Sequence, residues 1–136
     1  MSYTLREHTA DVAVEAEANS LGSVFAALAE GMAAAMVEDV PDAGDRFDVE
    51  ERAGSRERAL YDYLDRLIYE RDVRGVLPVD NEAVVREVDD EWVVEASARG
   101  VPLSAVHGRD LKAVTYSEMV LEERADGWHA YVVFDV

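Results

Sequence analysis

The sequence predicts an α+β fold in which two helices pack against mixed or antiparallel β-sheets. Three observations predict it. Two stretches, beginning at Ser20 and Ser55, repeat apolar residues every three and four positions, as helices with a buried stripe do. Most of the second half instead alternates apolar and polar residues in runs broken by turn residues, the pattern of hairpins. The segments follow one another as β-β-α-β-α and then two hairpins, without linker, repeat or low-complexity tract, so residues 1–136 are expected to form a single domain.

Residues 3–6 and 12–18 alternate well enough for two short strands, joined by the polar run Glu7-His8-Thr9-Ala10-Asp11. Asn19-Ser20 then signals a helix start with Ser20 as N-cap. Leu21, Val24, Phe25, Leu28, Met32, Ala35 and Met36 give that helix a continuous apolar face. Gly22 and Gly31 lower its propensity but permit close packing on a sheet. Residues 40–45 read as a loop and 46–51 as a strand with Phe47 and Val49 on one face. Ser55 caps a second helix whose stripe is Leu60, Tyr63, Leu64, Leu67 and Ile68, ending near Arg71. Residues 83–88 and 92–98 flank Asp89-Asp90-Glu91 as a hairpin. Residues 112–121 and 128–134 flank a longer loop, 122–127, as another. Pro102 and Gly108 mark 100–109 as an ordered connection with room for one helical turn.

Composition narrows the function. The chain is 136 residues long and 49% apolar, without an apolar run long enough for a membrane span. No basic leader followed by an apolar segment is seen, which predicts a soluble cytoplasmic protein. Zero cysteines exclude disulfides, thiolate nucleophiles and cysteine metal sites. The three histidines, His8, His107 and His129, fit no local metal motif, and no serine sits in a nucleophile elbow. With 30 acidic against 13 basic side chains the formal net charge is -17, which excludes a nonspecific basic footprint for nucleic acid. The basic side chains are twelve arginines and the single Lys112. That balance is expected of a protein adapted to a salty cytoplasm, where a short Debye length screens self-repulsion. Lys112 reads either as a leftover surface lysine or as an ammonium that meets a phosphate, a carboxylate or a partner.

Three small features could carry chemistry. Within His8-Thr9-Ala10-Asp11, Thr9 or Asp11 could cap local backbone, or Asp11 could be a rigidly held ligand. His8 reads more readily as a satisfied histidine than as a catalyst. At the C-terminus, the Asp135 side chain and the Val136 main-chain carboxylate form a hard oxygen pair suited to Ca2+ or Mg2+. A frayed terminus is the plainer reading. If Asp11 lies on an adjacent strand end, three carboxylates converge. In Leu111-Lys112-Ala113-Val114-Thr115-Tyr116, Lys112 could counter those carboxylates. Thr115 and Tyr116 read as ordinary strand packing, and Trp128 and Tyr131 as core or cross-strand aromatics.

Together, HTAD at 8–11, LKAVTY at 111–116 and GWHAYVVFDV at 127–136 resemble the archease family over essentially the whole chain. The resemblance implies an archease-like α+β fold. It also implies a protein cofactor rather than a self-sufficient enzyme. Its partner would be the GTP-dependent tRNA-splicing RNA ligase, whose guanylylation and multiple turnover it would promote, with tRNA met only through the ligase. Asp11 and Asp135 carry over as metal-contacting acids, the Val136 carboxylate as the third protein ligand of a divalent ion (Ca2+, Mg2+ or Mn2+), and Lys112 as the important base. The resemblance also implies that His8 is part of the same functional surface. Where the family block often continues with histidine after TY, this chain has Ser117, so no role transfers there. A general chaperone or interaction module and, behind it, a metal-dependent hydrolase using Asp11 and Asp135 are the competing readings.

Overall fold

The computed structural model describes residues 2–7, 11–37, 39–106 and 113–135. Their elements run β1 (Ser2–Glu7), β2 (Asp11–Ala18), α1 (Leu21–Met36), β3 (Asp45–Ala53), α2 (Arg56–Arg74), β4 (Val76–Val88), β5 (Glu91–Pro102), a short 3-10 turn (Leu103–Ala105), β6 (Ala113–Arg124) and β7 (Gly127–Asp135). One sheet has the order β1-β2-β7-β6 and the other β3-β5-β4. Every strand pairing among the described residues is antiparallel. The α+β class is as the sequence predicts.

The helices form a layer between the two sheets. α1 touches β1, β2 and β7 on one side and β4 on the other, while α2 reaches β6 of the first sheet and β3, β4 and β5 of the second. This corrects the expectation of a one-sided α1. The helix is buried nearly all round, with only Ser23, Glu30 and Ala34 half-exposed. Its larger side chains Phe25, Leu28 and Met32 are fully buried, each worth roughly 1.5–3 kcal/mol of apolar burial. The two glycines explain how one helix serves two sheets. At 100° per residue, nine positions place Gly22 and Gly31 on opposite faces. A Cβ on Gly22 would lie 2.4 Å from the Ala83 carbonyl oxygen of β4, and one on Gly31 would lie 2.3 Å from Val14 Cγ1 of β2.

Local chemistry sets the boundaries. Ser20 Oγ accepts the Ser23 N–H at 3.1 Å, and Ser55 Oγ accepts the Arg58 N–H at 3.1 Å, so both predicted N-caps are made. α2 runs past Arg71 to Arg74 because Gly75, at φ +66, closes it by donating its N–H to the Arg71 carbonyl. Arg56, in its first turn, lies 5.6 Å from the Trp92 ring of β5 and 5.1 Å from the Trp128 ring of β7. One guanidinium therefore joins both sheets to the helix by cation–π contact. β4 begins seven residues earlier than its alternation suggests. Pro78 is tolerated because β4 is an edge strand, and the ladder shifts between Val79 and Glu82, where Asp80 takes φ +50. Asp89 and Asp90 turn the β4–β5 hairpin with φ of +51 and +66, the signs a tight primed turn requires. The β6–β7 connection is shorter than expected, since Arg124 already pairs with Gly127.

Tyr63 of α2 stacks on Phe25 of α1, ring centroids 5.9 Å apart. Its hydroxyl is buried without a hydrogen-bond partner among the described residues. Burial, and secondarily the Glu30 charge, push its pKa far above the ordinary tyrosine value. A phenol whose folded pKa is raised contributes stability that is complete below the unfolded value of about 10 and is lost as pH climbs beyond it. Tyr63→Phe should therefore leave neutral-pH stability within about 1 kcal/mol of wild type and extend the folded range in alkali. Chemical denaturation at neutral and alkaline pH checks this; equal alkaline sensitivity in the two proteins would contradict it.

Candidate functional site

The first sheet brings the chain's distant ends together. β2 starts at Asp11, β7 ends at Asp135, and the two are antiparallel neighbours, so Asp11 stands directly opposite Asp135. Ala113, the first residue of β6, faces Asp135 from the other side. Asp11, Asp135 and Ala113 thus form one row across three strands. The next row is Val12, Phe134 and Val114, all buried in the core. Alternation then puts the first row on the opposite face, away from the helices. The row after that, Ala13, Val133 and Thr115, returns to the same outer face as the aspartates. Ala13 and Val133 are nonetheless 0% and 3% exposed, a closed apolar floor beside the carboxylates.

Asp11 is half-buried and Asp135 exposed. Directly opposed strand residues have Cβ atoms about 4.5–5.5 Å apart, and like charges there repel. Among the described residues no Arg, Lys or His side chain pairs with either aspartate. Two adjacent hard oxygen donors suit a divalent cation such as Ca2+ or Mg2+. They do not complete a coordination shell. Among the described residues no group of three or more His, Cys, Asp or Glu converges. Val136, His8 and Lys112 all lie outside the described residues. Each is close to the row along the chain: Val136 follows Asp135, Lys112 precedes Ala113, and His8 lies three residues before Asp11.

Farther along the same outer face, His129 ties three strands. Its Nε2 lies 2.8 Å from Glu15 Oε2 of β2 and its Nδ1 3.0 Å from Glu122 Oε1 of β6. The Arg124 hydrogen bond, helped by His129 and opposed by desolvation, holds the Glu122 carboxyl below the usual range. Scarcity of histidine did not reveal this role, because it depends on register. Trp128 and Tyr131 are half-buried strand residues, and Trp128 packs against the core. On the second sheet, a concavity of about 570 Å³ is lined by carboxylates of β3, β5 and β4. Glu50, Glu82 and Glu95 there pair with Arg52, Arg46 and Arg86, which makes it a salt-bridged solvated face. No helix among the described residues is long and apolar enough to cross a membrane.

The chain matches the Archease protein family (MTH1598/TM1083) over residues 3–136. It is 34% identical to protein archease of Methanosarcina acetivorans across 98% of this chain and 95% of that one. It is 27% identical to protein archease of Pyrococcus furiosus across 96% and 95%. Its fold is similar to the solution structure of Methanobacterium thermoautotrophicum protein 1598, with a TM-score of 0.86, 27% identity and 98% coverage of both chains.

Proposed function

The chain belongs to the archease family, and we propose that it is a protein cofactor which activates the GTP-dependent tRNA-splicing RNA ligase by promoting guanylylation and repeated turnover. The observation that carries this reading is the pair of facing aspartates at the meeting point of β2, β7 and β6. Asp11, Asp135 and the Val136 carboxylate would hold a divalent cation there. Such an ion supplies charge neutralisation where a nucleoside triphosphate is attacked. The protein's own part is positional. Two central strands fix both carboxylates on paired backbone, and the buried Ala13 and Val133 beside them limit water there; in the sequence His8 lies three residues before Asp11 and Lys112 directly before Ala113. The formal charge of -17 favours contact with a protein over direct contact with a polyanionic tRNA.

The reading is non-enzymatic, so the protein alone turns over no phosphoester. Multiple-turnover joining of tRNA halves by the cognate ligase, with GTP and a divalent metal in matched salt, tests it. Wild type should accelerate joining, and Asp11→Ala should lose at least about tenfold of that effect, the scale on which metal-site residues act. Acceleration by both would keep the partner and remove the aspartates from the mechanism. Without any acceleration of an active ligase, the activator reading is wrong and a general chaperone role comes forward. That alternative draws little from the surface: exposed apolar side chains such as Tyr3, Tyr69, Val73, Val84 and Val120 are dispersed over several elements.

A further inference from the structure

We infer that the outer face of α2 near its C-terminus, centred on Tyr69 and Val73, is a docking surface for an apolar segment of the partner protein flanked by arginine or lysine. This deepens the reading above and rests on it for the partner, the ligase. Tyr69 is 57% exposed and Val73 63%, and of the exposed large apolar side chains among the described residues these are the two that share an element. Four residues apart on a helix, they lie side by side on one face. Folding gives no reason for them. Tyrosine and valine are weaker helix formers than the arginine, glutamate and leucine that fill much of α2, and at this exposure they bury little.

The surrounding charges select the occupant. Asp65 and Asp72 stand one turn before and one turn after Tyr69, both exposed. The neighbouring arginines are engaged elsewhere or buried. Arg66 bonds Glu51 of β3 at 2.9 Å, and Arg74 lies 4.6 Å from the Phe47 ring of β3. Arg71 meets Asp72 at 3.0 Å but is itself 6% exposed. An apolar pair rimmed by carboxylates, on a chain of net charge -17, fits an apolar side chain flanked by cations. A second copy would bring the same carboxylates against it.

The face also stands at the end of the domain that carries the aspartates. α1 follows Ala18, the partner of Trp128 in the β2–β7 ladder, and so starts at the end remote from Asp11. α2 starts there too, with Arg56 5.1 Å from the Trp128 ring. The helices then run side by side in the same direction: Phe25 stacks on Tyr63, and Arg71 Nη1 lies 3.4 Å from Met36 Sδ. Gly31 of α1 sits against Val14 of β2, three residues from Asp11. The last turns of both helices therefore approach the end marked by Asp11 and Asp135, so one partner could meet the carboxylates and the apolar face together.

Calorimetric binding of the full chain to the cognate ligase, beside multiple-turnover joining at saturating amounts, tests this. Tyr69→Ser/Val73→Ser should weaken binding at least about tenfold, as loss of interface anchors does. At saturation it should still reach the wild-type plateau of acceleration, because Asp11 and Asp135 are untouched. Asp65→Lys should weaken binding about threefold at low salt and less in molar salt, where the Debye length is about 3 Å. Val84→Ser, which removes a side chain 61% exposed on β4 of the other sheet, should bind as wild type. All the variants should melt with wild type. Equal affinity of wild type and the double variant overturns the inference and leaves the aspartate reading standing. Equal weakening by Val84→Ser also overturns it, since the loss would then not belong to this face. Unchanged or tighter binding by Asp65→Lys overturns the cationic partner. Self-association of wild type in sedimentation, lost in the double variant, gives the face to a second copy and overturns the inference as well. Binding without acceleration defeats the activator reading, while the double variant's affinity still decides this one. Absence of binding by folded wild type overturns both.

Discussion

Replacing Asp11 with asparagine is expected to raise the melting temperature of the metal-free protein and, if the proposed cation site is right, to remove the stabilisation that Ca2+ would give wild type. The two effects have one cause. Asp11 and Asp135 are paired across β2 and β7, and like charges directly opposite cost about 0.2–1 kcal/mol. Asparagine keeps the size and removes one charge, so the metal-free fold gains that amount, up to about 4 °C for a domain of this size. A bound cation reverses the sign. At a hundredfold excess over its dissociation constant a ligand adds about 2.7 kcal/mol, and the variant forfeits most of it. Thermal melts with chelator and with Ca2+ at low ionic strength read both terms. Molar salt shortens the Debye length to about 3 Å and should shrink the first effect more than the second. A variant that melts below wild type in chelator would mean that Asp11 contributes a structural contact outweighing its repulsion.

That opposition of charges shows where sequence reading stops. The HTAD block and the terminal aspartate were visible as candidate ligands, yet 123 positions separate Asp11 from Asp135. Local alternation predicts that each lies at a strand end; it says nothing about which strands are neighbours. Sheet order β1-β2-β7-β6 is a property of the whole core, and only family resemblance pointed to convergence. The same limit hid the His129 tie, whose role depends on register across three strands. Caps and turns were legible because they are local: Ser20, Ser55 and Asp89-Asp90 do what their residue types favour. The start of β4 was obscured by equally local signals. Pro78 and Asp80-Asn81 interrupt the alternation, but an edge position and a bulge accommodate them, and Glu30 of α1 accepts a hydrogen bond from Asn81 Nδ2 at 2.8 Å. For α1 the stripe of large residues was real but incomplete. Ala26, Ala27, Ala29 and Ala33 are buried as well, and alanine is too small and too favourable in any helix to announce which side it covers.

Gly22→Ala should destabilise the protein by about 1–3 kcal/mol, the usual cost of forcing an extra carbon into a packed interior. Helix propensity alone argues the reverse, since alanine is better than glycine by about 1 kcal/mol. Sterics decide because of what the methyl would meet: the Ala83 carbonyl oxygen at 2.4 Å, with Ala83 C and Val84 Cα at 3.0 Å. Those are backbone atoms of a paired strand, and they yield only if α1 and β4 move apart. Gly54→Ala is the control, because its methyl would meet nothing within 4 Å. Gly31→Ala is the informative companion. Its methyl would strike Val14 Cγ1 at 2.3 Å and approach Tyr3, on the sheet that carries the aspartates. Denaturant melts should rank Gly22→Ala well below Gly54→Ala; similar midpoints would mean that α1 does not sit this close to β4. Calcium affinity separates the two faces of the helix. Gly22→Ala loosens the second sheet and should leave the affinity of the folded protein unchanged. Gly31→Ala pushes on β2 three residues from Asp11, so any shift of that strand alters the spacing of the opposed carboxylates and weakens binding even in the fraction that remains folded.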